Sequence, residues 1–516
     1  MISNIGNSFK PMNTSNSSLS VFYMNDMHGD LKRLGKLKTA KDCFEKQNET
    51  VSKLTLSGGD MFLGTNKKRN SFLVDFMNKF KLDATTLGNH EFSAKSEGLA
   101  ENLKNAEFQS VCTNIEVDSK NKLSERIKDK KLVKSATFMK GGHKFGIIGT
   151  APIDSYIGKN EVGENPTKVM NIEDTIKSIN EEAKELEKQG VNKIILCSHV
   201  GYGKDRDLKI ASETEGVDII IGGHTHTKID GVNSANNGGN EKLNLVMSKR
   251  NEPVLITQAG GLNEYAGFLN VEFDDNGILK KDKIVNKLVG LDKFEDSPSV
   301  KELMEESLGK NEVLATVKGS YNPKGSFEER VLENPLHSCF GKAILEKFKD
   351  EGAQVAVFGA PTLRGGMEDE ITTYDVKYAM LPFNSELGVV DMTEKELVKV
   401  LNANWNEYIP SVRIPDLCRA SGMSFSASLH PKLNADGEEI YIDDVKLDDD
   451  TTIDVLNPSD DKKIRVAIDK YTLMTKMPEK WEEFNPTSNE QDAMIDYLRN
   501  HKEVSAEKEG KFTYKE

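Results

Sequence analysis

The sequence predicts an α/β protein of two domains, and three observations carry that expectation. Short β-rich apolar runs alternate with polar, helix-like segments from about Leu19 to Leu291, the pattern of a layered α/β domain. A second set of strands and helices begins near Glu312. The chain has 516 residues, more than one core usually serves, since domains run to roughly 100–200 residues each.

The elements follow in order. Residues 1–18 are rich in Asn and Ser, with no apolar core of a signal peptide, and are expected to form a disordered leader. The first domain is placed at 19–292. Its runs SVFYM, VSKLTLS, DATTLG, FQSVCTN, KFGIIGT, KIILCS, VDIIIGG and PVLITQAG are short and bounded by Gly, Asn or Asp, so each reads as a buried strand. Between them, NIEDTIKSINEEAKELEKQG reads as a helix ending on Gly190 as its C′ residue. KGGHKFG reads as a hairpin turn. Residues 293–311 form a charged helical stretch and are taken as the linker. The second domain, 312–500, carries EVLATVKGSY, a helix around PLHSCFGKAILEKFKDEG, QVAVFGA and IRVAIDKYTL, a mixed α/β set. Residues 501–516 read as a charged tail.

Charge and cysteine content narrow the function. Lys and Arg total 69 against 83 Asp and Glu, a formal charge of −14. That argues against a nucleic-acid polymer or an anionic membrane as partner. It leaves room for a small anionic substrate, because bound metal ions would dominate the local field. No apolar stretch approaches the ~20 residues of a membrane span. Five cysteines, with no CxxC pair, fit neither a disulfide framework nor a thiolate zinc site. With no export signal, the expected location is the cytoplasm.

Five motifs sit at predicted strand ends: Asn25-Asp26-Met27-His28-Gly29-Asp30, Ser57-Gly58-Gly59-Asp60, Gly88-Asn89-His90-Glu91, Ser198-His199-Val200-Gly201 and Gly222-Gly223-His224-Thr225-His226. In open α/β sheets, ligands bind beyond the carboxyl ends of the strands, so these residues would converge on one patch. Their oxygen and imidazole donors suit Mn, Fe, Zn or Co. Asp26 and His28, and likewise His224 and His226, are spaced i and i+2, which in an extended chain points both side chains one way. Five of the nine histidines fall in these motifs. A structural role is the default for any one of them. Five together, with two aspartates and an asparagine, reverse it. His143, His337, His430 and His501 receive no role.

The motif series resembles the calcineurin-like metallophosphoesterases, and with the second domain it is similar to their 5′-nucleotidase branch. The resemblance implies a double-β sandwich flanked by helices, followed by a mixed α/β, 5′-nucleotidase-like domain. It implies two divalent metal ions: one held by Asp26, His28 and His226, the other by Asn89, His199 and His224, with Asp60 bridging. His90 would be the catalytic histidine outside the ligand set. The implied reaction is hydrolysis of phosphate monoesters, nucleotides first, by a hydroxide shared between the metals. A 2′,3′-cyclic-nucleotide phosphodiesterase/3′-nucleotidase, or a hydrolase of another small phosphoester, stays open. So does a weakly active metal-binding interaction protein. Many members act outside the cytoplasm, so the resemblance also implies a periplasmic or extracellular alternative.

The chain departs from the family pattern in two places. The family run Gly-Asn-His-Glu-Phe-Asp ends here in Ser93, which can accept a hydrogen bond from the histidine but carries no charge. In the second domain Arg364 matches the family's arginine, while the Asn and Gly pair before it are absent. Leu381-Pro382-Phe383-Asn384 resembles the segment whose aromatic stacks on a base, which makes Phe383 and Asn384 substrate-binding candidates alongside Arg364. The family's Gly-Gly-Asp-Gly-Tyr stretch is missing. The expected partner is a small phosphoester.

Overall fold

A computed structural model describes residues 18–47, 52–154, 157, 165–233, 243–321, 332–407 and 417–515. Residues 1–17, nearly all of the expected leader, lie outside that set. The chain divides into two compact units, Met1–Lys310 and Asn311–Glu516.

The first unit holds two seven-stranded sheets. In the first, the strands Ser18–Met24, Ser52–Ser57, Ala84–Thr86, Gln109–Val111 and Leu132–Val133 run parallel in that order. Antiparallel Tyr265–Phe273 and Leu279–Gly290 extend it beyond Ser18–Met24. The second sheet is built on parallel His143–Thr150, Ile194–Ser198, Ile219–Ile221 and Pro253–Ala259. Side chains alternate across each strand. Leu19, Val21 and Tyr23 turn inward and join Leu54, Leu56 and Ala84 against Ile147, Ile195, Cys197, Ile219 and Leu255 of the facing sheet. Phe22 turns outward and meets Phe44, Phe80 and Phe268 edge-on, at centroid distances of 5.7, 5.8 and 5.2 Å. Those rings seal the helices Leu34–Gln47 and Lys67–Phe80 onto the first sheet. On the other side, Ile176, Ile179, Ala183 and Leu186 of helix Ile172–Lys188 cover Ile148, Leu196, Ile220 and Ile256. The result is the helix-flanked double-β sandwich that the resemblance implied.

Local signals match this architecture. Asn171 caps the helix by accepting from Asp174 N, and Gly190 follows its end at φ +74°. Lys140 pairs with His143 across Gly141 and Gly142, at φ +55° and +83°, the two positive values a tight hairpin turn needs. Every described cysteine is a free thiol.

The linker expectation changes. Helix Pro298–Leu308 packs against Leu34–Gln47 and Lys67–Phe80. It buries Val300 and Leu308, and Lys68 Nζ donates to Leu308 O at 3.2 Å. Its charged face gave it the look of a linker, while its apolar residues tie it to the first unit.

The second unit is mixed α/β. A five-stranded sheet runs Cys418–Ser421, Val355–Gly359, Lys463–Asp469, Glu386–Thr393, Asn485–Asn489, and two three-stranded sheets flank it. The expected charged tail is structured instead. Glu503–Ser505 pairs in parallel with Val313–Lys318, and Phe512–Lys515 with Met423–Leu433. Val504 and Phe512 are buried, and Trp405 stacks on Tyr514. A short run with alternating apolar residues is easily hidden by the charges between them. Among the described residues, no helix is long and apolar enough to cross a membrane.

Candidate metal centre

All five motifs begin where a parallel strand of the first unit ends. Asp26 follows Ser18–Met24, Asp60 follows Ser52–Ser57, and Asn89 follows Ala84–Thr86. His199 and His224 follow Ile194–Ser198 and Ile219–Ile221 of the facing sheet. The loops bond across the sandwich edge. His199 Nδ1 donates to Gly58 O at 2.6 Å, and His224 N donates to the Asp26 carboxylate at 2.9 and 3.1 Å.

The extended-chain argument for Asp26/His28 and His224/His226 does not hold. All four are left-handed, at φ +49°, +50°, +71° and +49°, and Asp60 is at +53°. Such a conformation costs a non-glycine residue of order 1 kcal/mol or more and persists only where the surroundings enforce it. Here Asp26 N, His28 N and Gly29 N donate to Gly59 O, Asp60 O and Met61 O at 2.9, 2.9 and 3.0 Å. This zipper of two tight turns, not the pleat of a strand, brings the side chains together.

The converging atoms surround two buried carboxylates. Ligand atoms of Asp26, His28 and His226 lie within 4.8 Å of one another, as do those of Asp26, Asp60 and His199, and of His28, Asp60 and His90. His199 Nε2 is 3.2 Å from Asp60 Oδ2 and 3.7 Å from Asp26 Oδ1. His28 Nε2 and His226 Nε2 approach to 2.9 Å, and His224 Nδ1 lies 3.0 Å from Asn89 Oδ1.

Without a metal ion, the imidazoles supply the positive charge that faces the two carboxylates. Burial alone would push the Asp60 carboxyl up, but His199, His90 and His28 hold it well below the usual carboxylate range. Burial pushes the His199 imidazole down, but Asp60 and Asp26 outweigh it and hold it at about 10. His28, pushed down to about 3 by burial, stays neutral. His199 Nε2 and His28 Nδ1 are buried 3.2 and 3.8 Å from Asp60 Oδ2 without a well-aligned hydrogen bond to it. Ring nitrogens gathered around shared carboxylates are a donor set that suits a divalent ion.

His90 stands at the edge of this group. Its N–H donates to Asp60 Oδ1 at 2.8 Å, its ring lies edge-on to His28 at 4.9 Å, and its Nδ1 is 3.3 Å from Ser93 Oγ.

The family profile for calcineurin-like phosphoesterases matches residues 19–228, and that for the 5′-nucleotidase C-terminal domain matches 313–459. The chain pairs a calcineurin-like phosphoesterase domain with a 5′-nucleotidase C-terminal domain. It is 28% identical over 427 residues to a trifunctional nucleotide phosphoesterase protein, YfkN, of Bacillus subtilis, covering 74% of this chain and 27% of that one. It is 30% identical over 282 residues to the snake venom 5′-nucleotidase of Naja atra, covering 50% and 51%. The chain therefore spans about a quarter to half the length of these relatives. A 5′-nucleotidase precursor from Thermus thermophilus shares the fold with a TM-score of 0.68 and 24% identity, covering 96% of this chain and 99% of that structure. Calcineurin-like phosphoesterases work with divalent metals, and the clusters of the phosphoesterase domain could hold them.

Sequence reasoning passed over several residues of the phosphoesterase domain. Asn25 Nδ2 donates to Asp26 Oδ2 at 2.6 Å, and its Oδ1 accepts from Ala259 N at 2.7 Å. Buried Glu91 accepts from Asp60 N, Met61 N and Gly88 N at 3.1, 2.7 and 2.8 Å, so it clamps two ligand turns together. Burial pushes its carboxyl up to about 8. Both residues stood inside the motifs, and that adjacency was the signal. Asp154 Oδ2, 2.9 Å from His224 Nε2, had none.

In the 5′-nucleotidase C-terminal domain the guanidinium of Arg364 lies 5.8 Å over the ring of Phe383, which is 37% exposed. Asn384 differs: its Oδ1 accepts from Gln491 N at 3.0 Å, which engages it in shaping the loop. Glu490, also unforeseen, accepts from Thr362 Oγ1 at 2.7 Å and Ser385 N at 2.8 Å. It thereby ties the Arg364 loop to the Phe383 loop.

Proposed function

We propose that the chain hydrolyses phosphate monoesters of nucleotides with two divalent metal ions. Asp26, His28 and His226 would hold one ion, and Asn89, His199 and His224 the other, with Asp60 between them. The ions would supply Lewis acidity, making water a competent nucleophile near neutral pH and neutralising phosphate charge. The protein's own part is to orient and to move a proton. Asn25 and the His224 N–H hold Asp26 in place, Glu91 holds Asp60 and Asn89 in register, and His90 protonates the leaving ester oxygen. The observation that carries this reading is the set of buried ring nitrogens converging on Asp26 and Asp60.

Nucleotides are favoured over other esters by the exposed Phe383 with its neighbouring guanidinium, a surface suited to stacking a base. The test is phosphate release in Mn²⁺ from 5′-nucleotides, 3′-nucleotides, 2′,3′-cyclic nucleotides and an aryl phosphate. Turnover led by 5′-nucleotides supports the proposal, and turnover led by cyclic or 3′-substrates moves it to the phosphodiesterase alternative. No turnover on any compound sinks it in favour of a binding protein.

Two expected results sharpen the assignment. Phe383→Ala raises KM for nucleotides about 5- to 150-fold, since base stacking is worth ~1–3 kcal/mol, and leaves KM for aryl phosphate unchanged. An equal rise for both would show that the ring serves the fold. Ser93→Asp places a negative charge beside His90 Nδ1, which favours the imidazolium. The alkaline limb of the pH–rate profile then moves upward, and an unmoved profile would remove Ser93 from the argument.

A further inference from the structure

Asp154 belongs to no motif, yet it touches a residue of the candidate centre. It lies four residues beyond strand His143–Thr150, whose Thr150 pairs with Ser198 beside His199, so its loop rises from the same edge of the second sheet. The base of that loop is held firmly. Fully buried Asn114 accepts from Ala151 N at 2.8 Å and donates to Ala151 O at 3.0 Å. Asp154 Oδ2 then reaches His224 Nε2 at 2.9 Å, with both side chains partly exposed.

His224 is gripped at three points. Its backbone N–H is on the Asp26 carboxylate, its Nε2 on Asp154, and its Nδ1 3.0 Å from Asn89 Oδ1. An ionised carboxylate only accepts, so the Asp154 contact favours the His224 tautomer with its proton on Nε2. In that tautomer the Nδ1 lone pair faces Asn89 Oδ1, whereas a proton on Nδ1 would make the 3.0 Å contact a hydrogen bond. Two acceptors at that distance repel each other unless a cation lies between them. His199 obtains its orientation from a backbone carbonyl, Gly58 O, whereas His224 obtains it from a charged side chain.

We propose that Asp154 is a positioning residue that sets His224 to bind metal through Nδ1 and strengthens it as a donor, an inference that rests on the two-metal reading above. Removing such a carboxylate weakens metal binding about 10- to 100-fold.

Mn²⁺ binding to the full chain is measured by equilibrium dialysis with metal analysis, for the wild type, Asp154→Ala and Asp154→Asn. The expected result is two ions in the wild type. Asp154→Ala should bind one of them about 10- to 100-fold more weakly and leave the other unchanged. Asp154→Asn, whose amide oxygen still accepts from Nε2, should fall between. Metal-free melting temperatures are expected to agree among the three. Wild-type affinity for both ions in Asp154→Ala overturns the inference and leaves the two-metal reading standing. Tighter binding in Asp154→Ala overturns it as well, because Asp154 would then serve only as the ion-pair partner of a protonated His224. A wild type that takes up no Mn²⁺ overturns both readings.

Discussion

Asp60→Ala abolishes phosphate release, with a loss of about 10³-fold or more, well beyond the 10- to 100-fold of an outer-shell partner. Asp60 belongs to two of the three ligand groupings, and its oxygens face three histidines: Oδ2 faces His199 at 3.2 Å and His28 at 3.8 Å, and Oδ1 accepts from His90 N at 2.8 Å. Alanine leaves His199 Nε2 buried with half of its counter-charge gone. The loss should also be visible without substrate. A ligand present at 1,000 times its Kd stabilises the native state by about 4 kcal/mol. Mn²⁺ should therefore raise the melting temperature of the wild type and not that of Asp60→Ala. A variant that keeps two ions and more than a tenth of the activity would show that Asp60 does not bridge.

His90→Ala separates the acid from the ligands. Two ions remain bound at wild-type affinity, while kcat on a nucleotide falls about 10²- to 10⁴-fold, the usual contribution of a positioned proton donor. An aryl phosphate, whose leaving group needs little protonation, loses far less. His90 lies beside His28 and outside the Asp26–Asp60–His199 group, its backbone N–H donates to Asp60 Oδ1, and its ring nitrogen groups with His28 and Asp60, so the variant decides between acid and ligand. Loss of a metal ion would make His90 a ligand. An equal loss on both esters would assign it to stabilising the phosphoryl group instead of protonating the leaving oxygen.

The candidate site was largely legible because its chemistry is written locally. Asp26, Asp60, Asn89, His199 and His224 each stand within three residues of the end of a short apolar strand. The turns there are tight enough to require glycine, as at Gly59 with φ +91°. The helix 172–188 and the hairpin at Gly141-Gly142 were legible for the same reason, since their caps and turn residues lie within a few positions. The charge-rich end of the chain was misread because burial of Val504 and Phe512 depends on partners nearly two hundred and about ninety residues earlier. Helix Pro298–Leu308 was misplaced because only its packing partners assign it to a unit.

The sequence by itself determined which residues could bind metal, and that they stand at strand ends. Tertiary structure alone decided that two sheets face each other so that three loops of one meet two of the other. It also decided that the candidate ligands Asp26, His28, Asp60, His224 and His226 stand in left-handed turns, with Asn25 on Asp26, Glu91 on the Asp60 N–H and Asp154 beside His224. The physical reason is separation along the chain. A cap or a turn is paid for within a few residues, whereas the Asp26–His224 and Asp154–His224 contacts join residues about 200 and 70 positions apart, and only the closed sandwich brings them within hydrogen-bonding distance.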